Sequence, residues 1–276
     1  MSVVNKAGIV CCSNGQALSY KEDIDGLIDI LNGRGINIDL SDYIYSIDSV
    51  ASGAPIERAQ ALMKFYEDEE ITDIFDISGG DIANEILPYL DYKKISDVNK
   101  RFWGYSDLTT VINAIYTMTG RESVLYQVKN LIWDKTGRQE EIFLTPKMYE
   151  FSYEFYQGSY MSGVVVGGNI RCLLKLAGTK YFPELKDKIL FLEALSGGEA
   201  QLRTYLAQLN ELGAFSNTRG ILLGTFTEFE KTNSGKKIFD MIHQYTDDML
   251  PVAKTNDIGH SNLSKALVIG KVYSLG

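Results

Sequence analysis

Two periods of apolar residues alternate along the first half of the chain. Three short runs have the apolar or alternating pattern of β-strands: residues 7–12, 36–40 and 72–77. Apolar residues at helical spacing lie between the first two of these runs: Ile24, Leu27, Ile28 and Leu31. A strand followed by a helix, repeated in this order, predicts an α/β protein with a mostly parallel sheet.

Local signals predict where several helices begin and end. Ser19 and Glu22 have the spacing of a capping box before the first helix. Pro55 suits the first position of a second helix, which should reach about residue 66. Pro88 should end a short helix over residues 83–87.

The second half repeats the alternation after an irregular segment. Residues 121–160 are mixed, charged and rich in aromatic side chains, which suggests a linker that contributes strands or a lid. Further strands are predicted at 164–166, 189–193, 220–225 and 266–275, and helices at 170–176, 198–212 and 235–245. We therefore predict an N-terminal domain over 1–128, a linker or lid over 129–160, and a smaller C-terminal α/β domain over 161–276.

Composition excludes several classes of function. A net charge of −9 argues against binding a nucleic-acid backbone or an anionic membrane. No apolar run approaches the roughly 20 residues of a membrane span, and the N-terminus does not resemble a secretory signal. The chain has three cysteines, which do not make a disulfide framework: Cys11, Cys12 and Cys172. We therefore expect the protein to be located in the reducing cytoplasm. The spacing of these cysteines to His243 and His260 matches no zinc pattern, so we expect no metal.

Ser106 stands between a predicted strand and a predicted helix, in the segment KRFWGYSDLTTVINAIY (residues 100–116). Gly104 precedes it by two positions, as in the G-x-S-x-G turn that exposes a nucleophilic serine, but Leu108 replaces the second glycine. The alternative is that Ser106 or Asp107 caps the helix, and the local pattern alone favours the cap.

A nucleophilic serine needs a base and an acid to orient that base. His260 follows a glycine in a predicted loop, where functional side chains concentrate, or it is a polar turn residue. His243 lies in a helical stretch and fits an ordinary surface histidine. Glu193 ends an apolar strand at the edge where α/β sheets bind ligands, although an exposed strand-end glutamate has the same pattern.

Two glycine pairs follow predicted strands. Gly79-Gly80 could bring a backbone amide against a ligand, or it could form a plain tight turn. Gly167-Gly168-Asn169 has the same two readings. Neither has the spacing of a dinucleotide site.

Taken together, these segments resemble the LD-carboxypeptidase family of serine peptidases, which includes murein tetrapeptide LD-carboxypeptidases and microcin C immunity peptidases. The resemblance spans nearly the whole chain, in this order: Glu57-Arg58-Ala59, Gly79-Gly80, 87–91, 104–107, Gly167-Gly168-Asn169, Gly178-Thr179, Leu192-Glu193 and Gly259-His260.

The resemblance implies a function and an architecture. Ser106 would be the nucleophile, His260 the general base and Glu193 the acid that orients it. The backbone amides of Gly80 and Asp107 would form the oxyanion hole, and Asp107 would take over the capping role. A Rossmann-like N-terminal domain would carry the serine, a smaller α/β domain would carry Glu193 and His260, and the protein would be a homodimer that needs no cofactor.

Three departures from the family bear on the substrate. The glycine turn reads Ser78-Gly79-Gly80-Asp81-Ile82, where carboxypeptidases of the family commonly have Arg-Gly-Gly-Tyr-Gly. Glu193-Ala194 stands where Glu-Asp is usual, and residues 121–160 lack a Gly-Pro. Residues 83–92 look closer to the microcin-immunity branch. The substrate could therefore be a small peptide, such as a murein tetrapeptide ending in D-alanine, or an aminoacyl-nucleotide amide. A non-catalytic ligand-binding protein on the same scaffold is the alternative.

Overall fold

The chain forms two six-stranded sheets, each covered by helices. The structure is a computed structural model and describes residues 5–47 and 49–276. The strands are β1 (Lys6–Val10), β2 (Asn37–Leu40), β3 (Asp73–Asp76), β4 (Arg101–Gly104), β5 (Ser123–Leu125), β6 (Glu154–Gln157), β7 (Met161–Asn169), β8 (Lys188–Ala194), β9 (Gly220–Phe226), β10 (Val252–Lys254), β11 (Leu267–Ile269) and β12 (Val272–Leu275). The α-helices are α1 (Lys21–Gly33), α2 (Pro55–Glu67), α3 (Tyr92–Asp97), α4 (Thr109–Thr119), α5 (Asn130–Trp133), α6 (Arg138–Ile142), α7 (Ile170–Leu174), α8 (Glu199–Glu211), α9 (Ala214–Asn217) and α10 (Gly235–Ile242).

The first sheet has the order β11-β5-β4-β3-β1-β2. Strands β2, β1, β3, β4 and β5 pair in parallel, as the alternation predicts, and β11 pairs antiparallel with β5. Both faces are buried. Ile9 of β1 shares a buried cluster with Leu27 of α1, while its neighbour Val10 shares the opposite one with Leu62 of α2. Successive strand residues point to opposite faces, so helices cover both sides of the sheet.

The second sheet has the order β12-β7-β8-β9-β10-β6. Its four inner strands are parallel, and the edge strands β12 and β6 are antiparallel. Leu202, Leu206 and Leu209 of α8 are buried in the cluster that covers one face. The predicted α/β class, with a mostly parallel sheet in the N-terminal unit and a second α/β unit after it, is confirmed.

The end of the chain returns to the first sheet. Leu267–Ile269 follows His260 in sequence yet completes the N-terminal sheet beside Ser123–Leu125. The sequence predicts a strand over 266–275 but not this crossing. Within 129–160, the structure has α5, α6 and β6, and β6 joins the second sheet.

Two local predictions about helix ends are wrong. Ser19 and Glu22 form no capping box, because Ser19 lies in a 3-10 turn (Leu18–Tyr20) and Tyr20 precedes α1 without a side-chain cap. Pro88 ends no helix, because it lies inside a 3-10 segment (Ala83–Tyr89). A 3-10 segment tolerates proline here since few of its amides need intrahelical partners. By contrast, Pro55 begins α2, as predicted.

No helix within residues 5–47 and 49–276 is both long and apolar enough to cross a membrane. Within the same ranges, no three His, Cys, Asp or Glu side chains come together as a metal site would require.

Candidate active site

Ser106 lies on a sharp turn between β4 and α4. Its φ is +57°, in the left-handed region that non-glycine residues seldom adopt. Such strain persists only where the surrounding structure enforces it, and it is concentrated at functional sites. The turn is tight enough that a Cβ on Gly104 would lie 2.6 Å from Cβ of Leu108. This is the strand-turn-helix geometry that the pattern around Gly104 predicts.

His260 and Glu193 form a buried pair. His260 Nδ1 lies 2.7 Å from Oε2 of Glu193, whose side chain is almost completely buried. Because a carboxylate only accepts, Nδ1 is the protonated nitrogen of the neutral ring, and Nε2 carries the lone pair. Nε2 is buried, and no residue in the described part of the chain hydrogen-bonds to it. The structure thus leaves the basic nitrogen free.

The other oxygen of Glu193 is held by the predicted glycine turn. Asn169 Nδ2 donates to Glu193 Oε1 at 3.1 Å. The backbone N–H of Asn169 donates to Thr109 Oγ1 at 3.0 Å, and Thr109 begins the helix that follows Ser106. A Cβ on Gly168 would lie 2.5 Å from the same Thr109 oxygen, so only glycine allows this approach. The serine turn and the Glu193–His260 pair are therefore linked through two hydrogen bonds.

Tyr105 packs beside the histidine ring. Its ring meets that of His260 edge to face, with centroids 4.9 Å apart. Burial, and then the charge of Glu193, raise the pKa of the Tyr105 hydroxyl well above its usual value. Tyr105 is therefore an uncharged side chain whose packing helps to fix the plane of the imidazole ring.

Gly80 and Asp107 each present a free backbone amide. Neither N–H donates a hydrogen bond to any residue within 5–47 or 49–276. Gly80 has φ +119°, and a Cβ there would lie 2.2 Å from the side chain of Asn14. Asn14 also binds the turn on both sides, since its N–H donates to Gly79 O and its Oδ1 accepts from Asp81 N, each at 3.1 Å.

The Asp107 carboxylate does not cap α4, so that prediction is wrong. The side chain is fully buried and accepts from Ser13 Oγ at 2.6 Å and Ala83 N at 2.8 Å. Its other oxygen accepts from Lys175 Nζ at 2.5 Å. Lys175 also donates to the carbonyl oxygen of Asp81 at 2.8 Å. One ammonium group thus contacts both segments whose amides are free.

Ser106 and His260 line the same cavity, which has a volume of about 240 Å³. Gly80, Lys129 and Trp133 also line it. No hydrogen bond joins Ser106 to His260 in the described residues. Catalytic hydrogen bonds are often long in ligand-free proteins and shorten when substrate binds.

Comparison with models of known protein families identifies the family of this chain. A model of the LD-carboxypeptidase N-terminal domain matches residues 7–126, and a model of the LD-carboxypeptidase C-terminal domain matches residues 162–275. The chain belongs to the LD-carboxypeptidase family. This is a family of carboxypeptidases, which are hydrolases.

Relatives within the LD-carboxypeptidase family have two kinds of name. The chain is 27% identical to a probable murein peptide carboxypeptidase of Bacillus subtilis, covering 90% of this chain and 82% of that protein. It is 25% identical to the microcin C7 self-immunity protein MccF of Escherichia coli, covering 88% and 82%. A solved structure of MccF in complex with glutamyl sulfamoyl guanosine matches with a TM-score of 0.88 at 22% identity, over 99% of this chain and 93% of that one. At this identity, the structural likeness shows the fold.

The structure brings some of the site residues predicted from the sequence together in one cavity and leaves others outside it. His243 lies 3.5 Å from the exposed Asp248 and does not line the cavity, which agrees with a surface role. Sequence reasoning missed Ser13, Lys129 and Lys175. Each is an ordinary polar residue in its local sequence, and only contacts over long sequence separations distinguish it.

Proposed function

We propose that this protein is a serine carboxypeptidase or amidase with Ser106 as nucleophile, His260 as general base and Glu193 as orienting acid. The observation that carries the proposal is the free Nε2 of His260. It is buried, its ring is fixed by a 2.7 Å bond to Glu193, and it lines the same cavity as the strained Ser106.

The proposed reaction has two halves. His260 Nε2 takes the proton of Ser106 Oγ as the oxygen attacks the substrate carbonyl. The tetrahedral oxyanion accepts from the amides of Gly80 and Asp107, each worth about 3 kcal/mol of barrier. His260 then gives the proton to the leaving amine, which departs as the acyl-enzyme forms. Water, deprotonated by His260, attacks the acyl-enzyme and releases the acid and Ser106.

Labelling with a serine-reactive phosphonate tests this proposal. We expect wild-type protein to gain one adduct at Ser106, detected by mass spectrometry, and Ser106→Ala to gain none. His260→Ala should slow labelling by at least 100-fold, because the base is removed. Wild-type protein that stays unlabelled across pH 6–9, or labels at another serine, would count against the proposal.

Two substrates fit the family. A murein tetrapeptide would lose its terminal D-alanine, whereas an aminoacyl-nucleotide amide would be cleaved as in microcin immunity. MccF binds glutamyl sulfamoyl guanosine and aspartyl sulfamoyl adenosine, which supports a small acylated substrate here. Incubating purified protein with each substrate, and detecting product by mass spectrometry, distinguishes them.

A non-catalytic binding protein is the second candidate. The observation that favours it is that, within the described residues, no hydrogen bond joins Ser106 to His260. Under this candidate, Ser106→Ala leaves ligand affinity and cellular phenotype unchanged. Retained affinity with lost turnover excludes it. The homodimer, the cytoplasmic location and the domain limits at 128 and 160 stay predictions; sedimentation measures the first.

A further inference from the structure

Lys129 is the charged side chain of the candidate active-site cavity. In the described part of the chain, the lining of this cavity contains no second Lys and no Arg, Asp or Glu; it does contain His260. Carboxylates are absent from the same lining, so the cavity carries a positive formal charge when Lys129 is protonated. A positive cavity of this kind favours an anionic ligand.

The ammonium group of Lys129 is held in place but not neutralised. Nζ donates to Gln16 Oε1 at 3.0 Å, and Gln16 Nε2 in turn donates to the carbonyl of Ile77 at 3.2 Å. Nζ also lies 4.8 Å from the ring centroid of Trp133, within the range of a cation–π contact. Within 5–47 and 49–276, no carboxylate lies within 4.0 Å of Nζ, and two of its three donors have no protein acceptor.

Asp76, one of the two acids whose charges act on Lys129, is already hydrogen-bonded to other groups. Burial raises the pKa of Asp76. Its carboxylate accepts from the N–H groups of Cys12 and Ser78, both at 2.7 Å, and from the Ser78 hydroxyl. Burial also lowers the pKa of Lys129, against smaller opposing effects of Cys11 and Asp76. A partly buried ammonium without a counter-ion is costly, and an anion bound in the cavity would offset that cost.

The size of the cavity limits which part of a substrate carries the anion. Its volume of about 240 Å³ lies below the roughly 300–1,000 Å³ typical of pockets for drug-sized ligands, so only the reacting end of the substrate fits. Successive Cα atoms are about 3.8 Å apart, so a terminal carboxylate lies one short step beyond the last peptide bond. In an aminoacyl-nucleotide amide whose leaving nitrogen is bonded to phosphorus, the phosphate lies one bond closer to the scissile bond.

We propose that Lys129 binds the anion on the leaving-group side of the scissile bond. This proposal rests on the proposed function, because it assumes that the scissile carbonyl lies at Ser106. The anion is the terminal carboxylate of a peptide or the phosphate of an aminoacyl-nucleotide. Lys129 thereby selects substrates whose last bond is followed at once by a negative charge, which is the definition of a carboxypeptidase substrate in the first case.

Binding measurements in a Ser106→Ala background test the subsite without requiring turnover. The three probes for calorimetry are a murein tetrapeptide ending in D-alanine, the same peptide as its C-terminal amide, and aspartyl sulfamoyl adenosine. If the carboxylate is the anion, the free acid should bind at least 10-fold more tightly than the amide, and adding Lys129→Met should abolish this difference. If a nucleotide is the source, the sulfamoyl probe should lose at least 10-fold affinity in Lys129→Met instead.

Two further variants control for charge and fold. Lys129→Arg should retain most of the preference, because it keeps the charge. Lys135→Met should bind like the background protein, since Lys135 is exposed and does not line the cavity. Thermal melts confirm that each variant is folded.

Three outcomes would overturn the subsite. They are equal loss of acid and amide binding in Lys129→Met, no loss of either, or no binding of any probe by the Ser106→Ala protein. Phosphonate labelling of the wild-type serine is independent of these results. If the binding results contradict the subsite but Ser106 is labelled normally, only the subsite is wrong. If Ser106 is not labelled, the proposed function itself is wrong.

Discussion

Replacing Lys175 by methionine should destabilise the protein far more than the same change at Arg171, four residues earlier on the same segment. Both cations extend from α7 or its C-terminus to the loops of the first domain. Lys175 pairs with Asp107, and Arg171 pairs with Asp81. Methionine keeps most of the apolar stem and removes the charge, so the comparison measures the polar contacts of each cation, which for Lys175 also include Asp81 Oδ1 at 3.2 Å.

The burial of each ion pair determines how much stability its removal costs. Asp107 is 0% exposed and Lys175 is 19% exposed, and removing one partner of a buried pair costs about 3–5 kcal/mol. Because Asp107 retains its bonds from Ser13 and Ala83, we expect the low end, about 3 kcal/mol. Arg171 and Asp81 are 40% and 59% exposed, and an exposed pair is worth about 0–1 kcal/mol.

Thermal melts followed by fluorescence measure the difference. For a chain of this size, about 1 kcal/mol corresponds to roughly 2–4 °C, so Lys175→Met should lower Tm by about 6–12 °C and Arg171→Met by less than about 4 °C. Lys175→Met should also slow phosphonate labelling, since Asp107 adjoins Ser106. Equal shifts in Tm, or a larger shift for Arg171→Met, would refute the argument that burial decides the value of these pairs.

Three other predictions concern the site itself. Glu193→Gln should lower kcat by about 10³-fold or more with little change in KM, because the amide cannot stabilise the imidazolium of His260; steady-state kinetics checks this. Gly80→Ala should lower kcat by at least about 100-fold, whereas Gly79→Ala should be nearly neutral, because a Cβ at 79 meets nothing within 4 Å; similar kcat values would contradict it. Burial lowers the pKa of Lys129, which means that burying its charged ammonium group destabilises the folded protein. This loss of stability is complete below the folded pKa and vanishes above the unfolded value of about 10.4. Lys129→Met should therefore have a higher Tm than wild type at pH 7, with the difference shrinking as pH approaches 10, and a difference that grows with pH would contradict this sign.

The strands and helices that carry the site follow from local sequence. Alternating periods predict the parallel strands, whereas the local pattern at Gly104 and Ser106 fits either a helix cap, which it favours, or the strained turn that the structure has at the end of β4. Gly120, with φ +71°, ends α4 as expected of a helix C-cap. Local signals also point to His260 and Glu193, though the sequence alone cannot give the 2.7 Å contact between them, which spans 67 positions.

The remaining features depend on partners distant in sequence. The strand Leu267–Ile269 has the same apolar pattern whether it joins the first or the second sheet, and its pairing with β5 is set by the packing of both units. Lys129 and Trp133 lie in a segment whose composition predicts only a linker or lid. Their position in the cavity depends on where α5 packs, which periodicity does not specify.

Asp107 illustrates why local reasoning fails at this site. A Ser-Asp pair before a helix predicts a cap, and a cap contributes about 1 kcal/mol. The same carboxylate is instead buried against Lys175, 68 positions later, in a pair whose disruption costs about 3 kcal/mol or more. Once burial is imposed by the domain contact, satisfying the buried charge outweighs the cap, and the helix start is left without a side-chain partner. The amide of Asp107 is free because it lies in the first turn of the helical segment, where amides have no intrahelical acceptor, and a free amide beside Ser106 is what an oxyanion requires.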